Sequence, residues 1–170
     1  MTTINLKAYA QGVYSGNCQM VAEQPATVKL HNGSEVIETF ETTLATDGTL
    51  SVETSTEGIF DVSVRTHNTL EVFAASKLNV SGASVSYDFT TSADQAAGSN
   101  QVEVEPGVFA MYSGDIDGSG EINALDYDAW VVDYEAFAEG GATDLNGDGL
   151  VDGADYVLYE ANIGKSVIRP

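Results

Sequence analysis

Near the C-terminus, oxygen-bearing residues recur at one fixed spacing, from Asp115 to Asp126 and again, 29 residues on, from Asp144 to Asp155. A hard cation such as Ca2+ takes about six to eight oxygen ligands, which a twelve-residue loop offers from positions 1, 3, 5, 7, 9 and 12. In the first loop these positions are Asp115, Asp117, Ser119, the main-chain carbonyl of Glu121, Asn123 and Asp126. In the second they are Asp144, Asn146, Asp148, the carbonyl of Leu150, Asp152 and Asp155. Position 6 needs a sharp turn with positive φ, which glycine adopts cheaply, and it is Gly120 in one loop and Gly149 in the other. A solvated acidic loop is the ordinary alternative for a single match; two complete matches at a constant offset favour two Ca2+ sites. Loop 2 carries four side-chain carboxylates, Asp144, Asp148, Asp152 and Asp155, against Asp115, Asp117 and Asp126 in loop 1. It is therefore expected to bind the tighter. Position 8 points inward, and Ile122 and Val151 are expected to pair there as a short two-strand contact.

Composition points the same way. Acidic residues outnumber basic ones 26 to 6, a formal net charge of −20. Thirteen of the acids fall in residues 113–164, a stretch with no Lys or Arg. Such charge repels phosphate backbones and anionic membranes, which argues against nucleic acid or a membrane surface as partner. No run approaches the roughly 20 apolar residues of a membrane-spanning helix, and Met1 to Lys7 has no apolar signal-peptide core. The single cysteine, Cys18, rules out an internal disulfide. Weak, Asp-rich loops suit the calcium concentrations found outside cells, so the chain is expected to be an extracellular or cell-surface segment of a larger protein.

Something must hold these loops in place. Residues 1–112 alternate apolar and polar side chains in short runs, the signature of strands: Ile4–Tyr9, Ala26–His31, Thr49–Glu53, Ile59–Arg65, Leu70–Phe73, Val85–Phe89 and Gly107–Tyr112. Turn-tolerant pairs separate them, among them Asn32-Gly33, Asp47-Gly48 and His67-Asn68. A β-sandwich follows, with residues 91–101 as a polar loop. The strand-like run from Val102 to Tyr112 enters loop 1 after only Ser113 and Gly114, which predicts a rigid junction. Each loop is followed by a helical pattern. Leu125, Tyr127, Trp130, Val131, Tyr134 and Phe137 share one face of the first, and shifting by 29 residues lays Tyr127 on Tyr156 and Trp130 on Tyr159. A unit this small has little else to bury, so these aromatics are expected to form its core. The division is thus a sandwich at 1–112 and a small α domain at 113–170.

The loop-then-helix order, the missing incoming helices and Asp at position 12 make residues 113–164 resemble a dockerin domain. Gly140 to Thr143 precedes one loop and a strand the other. Ala26–His31, Ala45–Glu53 and Gly58–Arg65 resemble a prealbumin-like or carboxypeptidase-regulatory sandwich. Together, with Gly98–Ile116 carrying the likeness, the two parts resemble the C-terminal ends of large secreted proteins of Bacteroidetes-type bacteria. The resemblance implies a non-catalytic, calcium-binding interaction module whose helices dock onto a cohesin-like domain. In that family, positions 10 and 11 set partner choice; here they are Ala124-Leu125 and Gly153-Ala154, not the Ser-Thr pair of the best-known cellulosomal type. Two other readings stand beside it. Another copy of the chain could be the partner, in a self-assembling filament or surface layer. A glycan could stack on Tyr9, Tyr14, Phe73 or Tyr87. Catalysis is not expected, because His31 and His67 read as strand-end residues with no evident Ser or Cys partner.

Overall fold

Val28 and Leu30 in one strand and Val62 and Val64 in its neighbour are fully buried, while Lys29, Ser63 and Arg65 alternate with them on the opposite face. That alternation decides the architecture of the N-terminal part. The computed structural model describes all residues 1–170. Twelve strands come first: β1 (Thr2–Lys7), β2 (Tyr14–Gly16), β3 (Gln19–Met20), β4 (Gln24–Asn32), β5 (Glu35–Leu44), β6 (Thr49–Thr54), β7 (Gly58–Thr66), β8 (Val72–Phe73), β9 (Leu78–Val80), β10 (Ser84–Asp88), β11 (Val102–Glu105) and β12 (Val108–Ala110). Two helices follow, α1 (Ala124–Glu135) and α2 (Gly153–Asn162). One sheet runs β10-β1-β6, with β10 parallel to β1; the other runs β5-β4-β7-β8, with β9 also on β7. Ile4, Leu6, Leu50 and Val52 from the first sheet meet Val28, Leu30, Val62 and Val64 from the second in one core. The chain is a β-sandwich with two helices.

Two features of the sandwich depart from the pattern reading. The run Val102–Tyr112 is not one strand but the β11–β12 hairpin. It turns at Pro106-Gly107, where Gly107 has φ 77° and donates its N–H to Glu103 Oε1 at 2.9 Å. Strand β5 is absent from the pattern: at the edge of its sheet it leaves Val36 and Ile37 exposed and buries only Leu44 fully. Its inner face alternates Glu38, Phe40, Thr42 and Leu44, and with two of the four polar the strand carries little apolar alternation to read.

The junction to the helices is tight. Met111 N bonds to Tyr9 O at 2.8 Å, Gly114 N to Asn68 O at 2.8 Å, and Thr69 bridges Ser113. Asn162 of α2 donates its side-chain amide to Gln11 Oε1 at 2.6 Å and to Ser113 O at 2.7 Å. A Cβ on Gly12 would collide with the carbonyl oxygen of Leu145, so only glycine admits loop 2 at this distance from the sandwich.

A second small core joins Leu70 of the sandwich to Ile122, Leu145 and Tyr159, with Tyr112, Ile116 and Leu158 packed beside them. The expectation that helix aromatics would form the core holds in part: Tyr159 belongs to it, Tyr156 packs beside it, and the rings of Tyr127, Trp130, Tyr156 and Tyr159 cluster at centroid distances of 5.3 to 6.2 Å. Trp130 and Tyr159 are buried, but Leu125, Tyr127, Tyr134 and Phe137 are exposed. Loop residues and the sandwich supply the rest of the apolar cover. The expected contact between Ile122 and Val151 is absent. Ile122 N bonds to Lys165 O at 2.9 Å, beyond α2, and Val151 N to Ala138 O at 3.1 Å, beyond α1. Each loop is thus closed by the chain leaving a helix: loop 1 by the segment after α2, loop 2 by the segment after α1.

Candidate metal centre

The two loops fold onto matching hydrogen bonds, save that Gly147 N donates to Asp144 Oδ1 at 2.8 Å with no counterpart in loop 1, because their sequences put carboxylates and turn residues at the same positions. Asp126 Oδ1 accepts from Ile116 N at 2.7 Å and Asp117 N at 3.1 Å, and its Oδ2 accepts from Asn123 N at 2.8 Å. Asp155 Oδ1 accepts from Leu145 N at 2.7 Å and Asn146 N at 3.1 Å, and its Oδ2 from Asp152 N at 2.8 Å. Position 1 repeats as well: Asp115 Oδ2 takes Gly120 N at 3.2 Å, Asp144 Oδ2 takes Gly149 N at 3.0 Å. Gly120 and Gly149 have φ of 89° and 90°. At position 3, Asp117 Oδ1 accepts from Ser119 N, and Asn146 Oδ1 from Asp148 N, both at 2.9 Å.

Position 9 serves the helices. Asn123 Oδ1 accepts from Leu125 N at 2.8 Å and Asp152 Oδ1 from Ala154 N at 2.7 Å, so each caps the helix that follows. With Asp126 and Asp155 bonding back, each loop end is a capping box. The Asx-x-x-Asp spacing carried that signal in the sequence. Among the remaining predicted positions, Ser119 Oγ donates to the Glu121 carbonyl at 3.2 Å, and Asp148 accepts from Leu150 N at 3.0 Å and from the Asn146 amide at 2.9 Å.

The donor chemistry fits a hard cation. Carboxylate oxygens of Asp115, Asp117 and Asp126 lie within 4.8 Å of one another. Asp115 Oδ1 is buried without a hydrogen-bond partner, an arrangement that is costly unless something positive meets it. Burial pushes the Asp115 carboxyl up to about 6 despite the nearby Arg65 guanidinium, and burial also raises Asp155 against three backbone N–H groups. Loop 2 carries the same kinds of oxygen at Asp144, Asn146, Asp148, Leu150, Asp152 and Asp155, but the carboxylates that converge within 4.8 Å are those of loop 1.

No family model matches the sequence, and no curated protein matches it. Solved structures do. The chain is similar in fold to a chain of a C-terminal interface mutant of the type II cohesin–X–dockerin complex from Acetivibrio cellulolyticus, at 17% identity and a TM-score of 0.59, covering 98% of this chain and 97% of that one. The N-terminal interface mutant of the same complex matches at 16% identity with a TM-score of 0.56, over 98% and 97% of the two chains. Coverage this complete includes both the sandwich and the two loop–helix units.

Sequence reasoning missed what the sandwich brings to the loops. Arg65 of β7 donates from Nη2 to Asp115 O at 3.2 Å and places Nη1 3.8 Å from Asp115 Oδ2. At the matching place in loop 2, Asp144 O accepts from the Asn68 amide at 3.4 Å. Neither partner is visible in the loops, since both come from about 50 or more residues away.

The residues raised for other functions sort differently. Tyr9 and Phe73 are buried and offer no platform to a sugar, and the hydroxyls of half-buried Tyr14 and Tyr87 are bonded to Glu105 and Gln95. His31 does have a serine partner: its Nε2 lies 2.9 Å from Ser63 Oγ, which donates to Glu71 Oε1 at 2.7 Å. His31 and Ser63 are fully buried, however, and burial lowers the His31 pKa. This hydroxyl is spent on Glu71 and meets no solvent, so the chain of bonds is a buried polar seam, with His31 Nδ1 left unpartnered, near the C-terminal tail, where Arg169 covers Phe73 at 4.9 Å. His67 bonds Gln24 Oε1 at 3.1 Å.

Proposed function

We propose that this chain is a non-catalytic, extracellular or cell-surface protein-binding module. In this reading two Ca2+ ions are held by Asp115, Asp117, Ser119, Glu121, Asn123 and Asp126 and by Asp144, Asn146, Asp148, Leu150, Asp152 and Asp155. Bound there, the metal neutralises the crowded carboxylates. Residues 1–112 act as a supporting sandwich and 113–170 as a dockerin-like binding unit.

The observation that carries the reading is Phe137. It stands just past α1 with φ 53° and 89% of its surface exposed. A bulky non-glycine residue in the left-handed region is strained, and an exposed aromatic gains nothing from the core. Strain kept at an exposed site points to a binding role. Leu125, Tyr127, Tyr134, Val157 and Ile163 are exposed on or beside the same two helices, in keeping with a partner whose contact face is apolar. A cohesin-like domain is the proposed partner, supported by the fold likeness to a chain of the cohesin–X–dockerin complexes.

Calorimetry should register two Ca2+-binding events, and immobilised cohesin domains should retain the chain in Ca2+ and release it in EGTA. Absence of any heat at millimolar Ca2+ would sink the metal reading. Self-assembly through the open edge of β5 has less support: Glu35, Glu38 and Glu41 lie along that strand, and like charges oppose pairing with a second copy. Light scattering that rises with protein concentration, without cohesin binding, would reverse that preference.

A further inference from the structure

We infer that Arg65 is a built-in counter-cation for loop 1, making it the weaker of the two Ca2+ sites and the last to open when metal is withdrawn. The inference rests on the reading of both loops as Ca2+ sites.

The guanidinium is fixed rather than free. Its Nε donates to Thr66 O at 3.0 Å, and Nη2 reaches His67 O at 3.5 Å and Asp115 O at 3.2 Å. Loop 1 is folded around it: a Cβ on Gly118 would stand 2.6 Å from Nη1. With its side chain 16% exposed and Asp115 fully buried, the pair escapes most of the screening that weakens surface ion pairs.

Loop 2 offers the contrast within one molecule. The equivalent glycine, Gly147, lies against the Val13 and Val21 side chains, and the equivalent carbonyl takes the neutral Asn68 amide. Counting only the side chains placed as ligands, three carboxylates and one guanidinium give loop 1 −3 + 1 = −2 and four carboxylates give loop 2 −4; the Glu121 side chain, whose carbonyl is the ligand, brings loop 1 with Arg65 to −3. The bonds at positions 3, 9 and 12 match; at position 1 Asp144 Oδ1 accepts from Gly147 N at 2.8 Å while Asp115 Oδ1 has no partner, which leaves charge as the main difference acting on a cation. A divalent ion in loop 1 stands within a few ångströms of a fixed positive group, a repulsion worth on the order of tenfold in affinity even in a water-like dielectric. In the metal-free chain the same group relieves part of the carboxylate repulsion in loop 1 alone.

The test is Ca2+ calorimetry on the full chain with one loop silenced at a time, by Asp155→Ala or Asp126→Ala, each with and without Arg65→Gln. Arg65→Gln should tighten loop 1 on the order of tenfold and leave loop 2 unchanged; Arg65→Lys, which keeps the charge, should leave loop 1 close to its original affinity. Amide exchange of the intact-loop chain in EGTA gives a second readout. Ile116 N–H should exchange more slowly than Leu145 N–H, and Arg65→Gln should erase that order. Loop 1 affinity that is unchanged or lowered by Arg65→Gln, with both loops still binding Ca2+, overturns the role of Arg65 alone. No Ca2+ binding to the unmodified chain overturns the metal reading with it.

Discussion

Loop 1 and loop 2 share a hydrogen-bond scaffold that repeats to within about 0.2 Å, yet the sandwich presses an arginine against one and two valines against the other. The likeness is local and the difference is tertiary. A loop's own residues decide where its backbone turns, because its carboxylates bond the N–H groups between them. How much positive charge that loop still wants is decided by whichever strand end lies beside it.

Withdrawing metal is the strongest way to press on this comparison. With dissociation constants near 10 μM, millimolar Ca2+ stabilises the folded state by roughly 3 kcal/mol per site, a large part of the stability of so small a unit. EGTA should therefore lower the thermal midpoint of the helical circular dichroism from α1 and α2 while the strands of the sandwich melt later. Protection should fail first at loop 2. A midpoint unmoved by EGTA would mean that the loops are held by their hydrogen bonds alone.

Next in size is removal of the carboxylate at position 12. Asp126→Ala and Asp155→Ala each leave three backbone N–H groups without their acceptor, at about 1 kcal/mol or more apiece. Urea unfolding in Ca2+ should show losses of about 3 kcal/mol or more, with Asp155→Ala the worse of the two. Loop 2 has the higher acidic charge to lose its ion from, and no Arg65 to stand in. Equal losses would argue that the sandwich contact is electrostatically silent.

The pH dependence isolates Asp115. Its folded-state pKa of about 6 lies above the ordinary 3.8 because the carboxyl is buried. The folded chain therefore holds this proton more tightly than the unfolded one. The contribution of this group to stability is fully present below about pH 4 and lost as pH rises through about 6. In EGTA, Asp115→Asn should match the unmodified chain near pH 4 and exceed it by about 2 kcal/mol at pH 7. Urea titrations at several pH values measure the difference, and parallel curves would show that Asp115 is already compensated by Arg65.

What the sequence made legible follows the same division between local and tertiary. Both loops, their glycines and the helices after them could be read because every determinant lies within about a dozen neighbouring residues. The strands of the inner core could be read from alternation, as at Val28 and Leu30. Strand β5 could not, because its inner face puts Glu38 and Thr42 beside Phe40 and Leu44, which blurs the apolar period. Arg65, Asn68 and the buried His31–Ser63–Glu71 seam required the sheet register, which brings residues together across turns. The closure of loop 1 by Lys165 was hidden because two loops at a constant offset invite the assumption that they pair with each other. The aromatic stripe misled for a related reason: helical spacing shows that residues share a face, but not whether that face turns inward. Here Trp130 and Tyr159 turn inward, Tyr159 meeting Leu70 of the sandwich, while Leu125, Tyr134 and Phe137 stay outside.

The smallest effect separates folding from binding on that outward face. Helix α1 runs into Phe137 in the left-handed conformation, whereas α2 is followed by Gly164 at φ 86°. Glycine carries no steric penalty there. Phe137→Gly should thus raise stability by about 1 kcal/mol, seen as a small upward shift of the thermal midpoint, because it relieves backbone strain and removes no buried contact. The same substitution should weaken retention on a cohesin surface. A gain in stability with undiminished binding would move the docking face away from the end of α1, while a loss of stability would mean that this exposed ring supports the fold after all.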